Sequence, residues 1–206
     1  MSSISIIGSG TMARILGTRA LAGGNTVEVI GRDAAKAATL AGELGGATAG
    51  TAGAAPAGDI VILAVPYASA APVVSQYGEA LAGKVIVDIS NPFNPSATGL
   101  VTPDGTSAAQ EIAKAAPASA HVIKAFNTIF GNVLTQDRPL DVFIAGDDAQ
   151  AKASMSAFIE SMGLRPLDTG DLTMAHWLEG AGLLMMGLGR LGVGNYRFSL
   201  GVSLAG

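Results

Sequence analysis

Gly8, Ser9 and Gly10 form a GSG turn between an apolar run, Ile4 to Ile7, and a helical stretch that ends at Gly23-Gly24. Such a turn can hold phosphate. Gly8 permits the tight bend, and Gly10 lets the backbone come close to a pyrophosphate. The helix that opens on Thr11 and Met12 offers unpaired N–H groups and the positive end of its dipole. Ala13 is small enough for close packing of that helix on the sheet. A second apolar run, Val27 to Ile30, then stops at Gly31-Arg32. Strand, turn, helix and strand, in this order and at this length, spell a dinucleotide-binding unit.

The end of the second strand separates the two nicotinamide dinucleotides. An NAD site places Asp or Glu there for the ribose hydroxyls, whereas an NADP site leaves room for a phosphate and supplies cations. Here Gly31 leaves room, Arg32 offers a planar fork and Lys36 follows one helical turn later. NADP(H) is the expected nucleotide. Asp33 reads as the N-cap of the next helix, Ala34 to Leu44; the other reading is a ribose ligand displaced by two residues.

Hydride transfer needs no covalent nucleophile, only two rings held face to face about 3–3.5 Å apart. Such sites are built from backbone and apolar edges at the carboxyl ends of strands. Three strand ends qualify: Ala64-Val65-Pro66, Asn91-Pro92 and Ala125-Phe126-Asn127. No residue is assigned a covalent or acid–base role. Other chemistries fail on the letters. Tyr67, Tyr77 and Tyr196 lack a lysine four residues later, which excludes the short-chain dehydrogenase arrangement, and residues 171–206 hold no lysine for a β-hydroxyacid dehydrogenase. There is no cysteine, and two histidines, His121 and His176, are too few for zinc. His176 and Glu179 share a helix face and read as a surface or cleft-edge pair; Trp177, Met174, Met185 and Met186 read as packing residues, or as a flexible apolar wall against a planar ring.

The chain has 206 residues, 49% hydrophobic and 14% charged, with net charge −4. That supports a large core and gives no general attraction to nucleic acid. The uncharged stretch Ile60 to Gly78 approaches the ~20 residues of a membrane span but is interrupted by Pro66, Ser69, Pro72, Ser75 and Gln76. With the first strand at about residue 3, no signal peptide is expected, and the chain reads as soluble and cytoplasmic. Further buried strands are expected at Asp59 to Val65, Lys84 to Ile89, Val122 to Phe126 and Val142 to Ala145, with a short one inside Gly45 to Gly58 and another at Pro166 to Asp168. Helices are expected at Ser107 to Ala116, Ala149 to Met162 and Leu172 to Leu191. The alternation predicts an α/β fold: a Rossmann-type, doubly wound, mainly parallel sheet over residues 1–170. A small C-terminal helical segment and a terminal strand, Tyr196 to Val202, fall within residues 171–206 and close an acceptor cleft.

The pieces GSGTMA (Gly8 to Ala13), GRDAAKA (Gly31 to Ala37), GKVIVDISNP (Gly83 to Pro92), HVIKAFNT (His121 to Thr128), AGDD (Ala145 to Asp148) and MGLRPLDTGDL (Met162 to Leu172) resemble the NADPH-dependent coenzyme F420 reductases. They also resemble the related cytosolic reductase domains of six-transmembrane metalloreductases. Glu179 falls where that family has a helical glutamate. Two positions depart from the pattern: Gly31 stands where a serine often precedes the phosphate-binding arginine, and Asn127 stands where archaeal members carry histidine. The resemblance implies hydride exchange between NADP(H) and the deazaflavin F420, with a small-molecule acceptor, no membrane domain and a homodimer. The alternatives are reduction of a flavin, a ferric chelate or an imine on the same fold, or a non-catalytic NADPH sensor.

Overall fold

The computed structural model describes residues 1–205. The chain runs β1 (Ser3–Ile7), α1 (Thr11–Ala22), β2 (Thr26–Ile30), α2 (Ala34–Leu44), β3 (Ala47–Ala49), β4 (Ile60–Leu63), α3 (Tyr67–Tyr77) and β5 (Val85–Asp88). It continues with α4 (Ala108–Ala115), β6 (His121–Lys124), α5 (Gly131–Leu134), β7 (Asp141–Gly146), α6 (Ala149–Ser161), β8 (Arg165–Asp168) and α7 (Ala175–Arg190). One sheet orders the strands β3-β2-β1-β4-β5-β6-β7-β8. This is the doubly wound Rossmann-type architecture.

Period-two burial explains why helices cover both faces. Ile4, Ile6, Val27, Val29, Ile60 and Ile62 point into one core with α1, α2 and α6. Their neighbours Ile7, Ile30, Val61 and Leu63 point into the other, with α3 and α4. Asp33, Ser107 and Asp148 each accept the backbone N–H three residues on, capping α2, α4 and α6. The capping role expected of Asp33 is therefore present.

The sheet is mainly parallel, as expected; β7 and β8 pair in parallel, and among the described residues the one antiparallel pair is β6 with β7, where Ile123 lies opposite Gly146. The connection carries only the four-residue α5, too short to cross the sheet as α1 does, so the chain turns back alongside β6. One expectation needs correction: residues 196–202 form no strand. Residues 193–196 form a single 3-10 turn, with Asn195 and Tyr196 at positive φ, and the tail beyond makes one isolated bridge, Ile129 to Ser199. Left-handed backbone interrupts the extension, and Asp141 and Arg165 hold the tail in place of a ladder. Arg165 Nε and Nη2 donate to the Asp141 carboxylate at 2.6 and 2.7 Å, while the Val202 N–H donates to Asp141 Oδ2 at 2.7 Å and the Val202 carbonyl accepts from Arg165 Nη2 at 2.6 Å.

Arg165, helped by the Val202 amide, holds the Asp141 carboxyl below the ordinary carboxylate range. A pKa lowered by folding adds stability above the unfolded value, ~4, which is lost as pH falls through the folded value. Asp141→Asn should therefore melt at lower temperature than the parent at neutral pH, and the difference should shrink below about pH 4. Thermal melts across pH check this; a constant difference would contradict it.

Candidate active site

The sheet changes winding direction between β1 and β4, so the loops at their carboxyl ends diverge and leave a crevice. A cleft of about 600 Å³ occupies it. Nine residues expected from sequence line this cleft together: Gly8, Ser9, Gly10, Gly31, Arg32, Lys36, Ala64, Val65 and Pro66. The two turn glycines do different work. Gly8 has φ +130°, and a Cβ there would lie 2.2 Å from the Ala64 carbonyl oxygen, so only glycine joins the end of β1 to the end of β4. Gly10 caps α1 in extended backbone, and a Cβ on it would meet nothing within 4 Å. Its lack of a side chain is not required by the protein's own packing; it leaves space in the cleft.

At the second strand end, a Cβ on Gly31 would sit 3.6 Å from Ser9 Oγ and 3.3 Å from Ala37, so the Ser9 hydroxyl stands beside the place where a side chain at 31 would begin. Arg32 and Lys36 are exposed at the rim. Asp33 Oδ1 accepts the Lys36 N–H at 3.1 Å, and Oδ2 lies 3.8 Å from Lys36 Nζ. The carboxylate thus serves the cap while both cations remain at the mouth. These features fit a phosphorylated ribose: open backbone, a hydroxyl and two cations.

A second, smaller cavity of about 200 Å³ collects Met12, Asn91, Phe126 and Asn127 with Phe130, Gly182, Met185 and Met186. Met12 lies on α1 two residues after Gly10, so this cavity begins beside the phosphate turn. Its polar element is an amide pair. Asn91 Nδ2 donates to the Asn127 carbonyl at 2.9 Å; Asn127 Nδ2 donates to Asn91 Oδ1 at 3.0 Å and to the Leu178 carbonyl of α7 at 2.8 Å. Because both Asn127 bonds end on oxygens, the amide orientation is fixed, and Asn127 Oδ1 is buried without a protein partner. Phe126 has φ +60°, the left-handed region that a bulky residue rarely enters.

Three expected residues join neither cavity. Thr11 is exposed at the start of α1, Pro92 is buried, and Ala125 is fully buried with its N–H bonded to the Asp88 carbonyl. Trp177 is 67% exposed and lines neither space; α7 turns Gly182, Met185 and Met186 to the cavity instead. Tyr196 and Phe198 of the tail pack edge-on against Phe130, with centroids 5.5 and 5.4 Å away.

Sequence reasoning missed a buried ionic cluster beneath the cavity. Lys124 Nζ donates to Asp88 Oδ2 at 2.7 Å, to the Ser90 carbonyl at 2.6 Å and to Glu179 Oε1 at 2.8 Å. All three charged side chains are wholly inaccessible to solvent. Glu179 is therefore not a surface partner of His176; its carboxylate accepts the Ala108 N–H that opens α4, while His176 Nδ1 meets the Thr106 carbonyl at 2.9 Å. Burial pushes the Glu179 carboxyl up, against the pull of Lys124 and the Ala108 amide. Nearby, burial and a 2.8 Å hydrogen bond to Glu111 push the Tyr67 phenol up to about 12. The signal for the cluster was present: Asp88 and Lys124 are charges inside runs otherwise read as buried strands, which demands partners.

Residues 3–92 match the family described as NADP oxidoreductase, coenzyme F420-dependent. The chain is 33% identical over 189 residues to the metalloreductase STEAP3 of Rattus norvegicus, covering 89% of this chain and 37% of that protein. It is 32% identical over 145 residues to the F420-dependent NADP reductase of Methanocaldococcus jannaschii, covering 66% of this chain and 64% of that one. The chain thus spans less than two thirds of either curated relative. A crystal structure from Arthrobacter sp. FB24, provisionally described as an F420-dependent NADP reductase, superposes with a TM-score of 0.86 at 25% identity over 99% of this chain and 100% of that one. Among the described residues no helix is long and apolar enough to cross a membrane. With its switch-point cleft and its cationic rim, the chain is similar, through residues 3–92, to the coenzyme F420-dependent NADP oxidoreductase family.

Proposed function

We propose that the protein exchanges hydride between NADP(H) and the deazaflavin F420. The observation that carries this reading is a pair of spaces: a cleft lined by a glycine turn, a hydroxyl and two cations, and a largely apolar cavity whose wall includes Met12, two residues beyond that turn. Ser9, Arg32 and Lys36 hold the phosphates, and Gly10 leaves them room. Ala64, Val65 and Pro66 edge the nucleotide. Met12, Phe126, Met185 and Met186 exclude water from the reacting rings, while Asn127 Oδ1 accepts a ring N–H. In the forward direction a C–H bond at C4 of the reduced nicotinamide breaks, the hydride forms a new C–H bond at C5 of the deazaflavin, and that ring takes one proton from solvent. A flavin or a ferric chelate is the second reading, favoured by the likeness to a metalloreductase. A sensor that only binds NADPH would have no use for open space beside the nicotinamide. We further propose a homodimer through α7, where Trp177, Leu184 and the C-capping Leu191 recur every seven residues and are 67%, 59% and 85% exposed.

Losing one charge-assisted phosphate bond costs roughly 1.5–3 kcal/mol, about ten- to a hundred-fold in affinity. Arg32→Ala should weaken NADPH by about that factor and leave NADH nearly unchanged, whereas Gly10→Val should fold normally and bind neither nucleotide. Calorimetric titration decides; equal losses on Arg32→Ala would remove the phosphate role. NADPH deuterated at C4 should deliver its label to C5 of F420 in anaerobic turnover. Rapid flavin or ferric reduction with no F420 reduction would transfer the assignment to the second reading. In sedimentation velocity the parent should run as a dimer and Leu184→Glu as a monomer; a monomeric parent would end the α7 interface.

A further inference from the structure

Lys124, Asp88 and Glu179 touch neither cavity, yet each lies within a few residues of the wall of the smaller one. Asp88 ends β5, and its Oδ1 accepts the Ser90 N–H at 2.8 Å; Lys124 then holds the Ser90 carbonyl, so the residue before Asn91 is fixed at both ends. Two residues after Lys124 comes Phe126 in left-handed backbone, a conformation that costs on the order of 1–3 kcal/mol and persists only where its surroundings dictate it. Asn127 follows, bonded across to Asn91 and to α7. Glu179 lies on α7 less than one turn before Gly182, which comes so close to Asn91 that a Cβ would sit 2.8 Å from its Oδ1. Four pieces of chain meet at one ion cluster: the ends of β5 and β6 and the wall helix α7 at the Lys124 ammonium, and the start of α4 at the Glu179 carboxylate.

We propose that Glu179, acting through Lys124, is a positioning residue for hydride transfer, locking α7 to the strand-end loops so that the acceptor cavity keeps one fixed shape. This rests on the reading of the small cavity as the acceptor site. Apolar residues could anchor a helix as firmly, since a buried ion pair adds little over well-packed hydrophobic side chains. What the ions add is direction. Lys124 meets its three oxygens at 2.6–2.8 Å, which fixes the rotation and height of α7 relative to Ser90, whereas apolar packing tolerates sliding. A misplacement of about 1 Å at a hydride-transfer site costs on the order of a hundred-fold in rate.

The test compares Glu179→Ala with Glu179→Gln in the full chain. Glu179→Ala leaves Asp88 and Lys124 as a neutral pair, and Glu179→Gln restores an oxygen for Lys124 and Ala108, which keeps the comparison informative if the alanine variant is less stable. Amide hydrogen exchange of the NADPH-bound protein is measured first and needs no acceptor. Glu179→Ala should raise exchange about ten-fold or more in residues 89–93 and 175–186 and leave residues 8–12 and 31–37 unchanged; Glu179→Gln should restore most of the protection. Calorimetric NADPH affinity should stay within about two-fold. With whichever of F420, FMN, FAD or ferric chelate the parent reduces, kcat of Glu179→Ala should fall about ten- to a hundred-fold, with partial rescue by Gln. A parent that reduces a flavin but not F420 changes the proposed function and leaves the exchange comparison standing. Exchange unchanged, or raised uniformly across the sheet, would overturn the positioning role, as would a loss of NADPH affinity matching the loss of kcat.

Discussion

An ammonium removed entirely from water must be met by negative charge and by lone pairs, and Lys124 sets that requirement for half of this molecule. Its demand is satisfied by Asp88 from the neighbouring strand, by a loop carbonyl and by Glu179 from a helix far along the chain. The α4 N-terminus shares the load, because its first N–H points at Glu179 and its dipole favours an anion there. Removing one partner of such a group costs about 3–5 kcal/mol, far more than an exposed ion pair contributes. The C-terminal helix is thus tied to the sheet by a constraint that apolar contact alone would not impose.

The nucleotide cleft depends on a steric constraint instead. Gly8 and Ala64 approach until no side chain fits between them, and this contact joins the two halves of the sheet where their winding diverges. The two regions divide the labour. The first half of the chain supplies backbone, small residues and rim cations to the larger cleft; the second half supplies most of the aromatic and methionine side chains that line the smaller cavity.

The first region was largely legible in the sequence because its signals are local. A glycine turn between strand and helix, and a cation after the second strand, are read within thirty residues, and six of the residues they pick out line one cleft. The second region was less so. Strand ends at Asn91 and Phe126 could be located, but not which side chains turn inward, so Ala125 and Pro92 were included although both are buried. Trp177 was taken for packing because it is apolar and helical; its face of α7 points outward. Glu179 looks like a surface residue in the sequence because its partners are 55 and 71 residues away, and a single sequence carries no local trace of pairings at that range. The antiparallel β7 was hidden for a similar reason: strand direction follows from the path of a connection, and an apolar run reads the same both ways.

The outer wall of the small cavity is held differently from its floor. Phe130 is buttressed by Tyr196 and Phe198, which belong to a tail laid over a finished sheet and fastened to Asp141 and Arg165. No strand pairing holds these two rings, so changes in them disturb no ladder. A short stretch of tail therefore sets the rim of the small cavity independently of the sheet, and substitutions in it can reshape that rim with the larger cleft untouched.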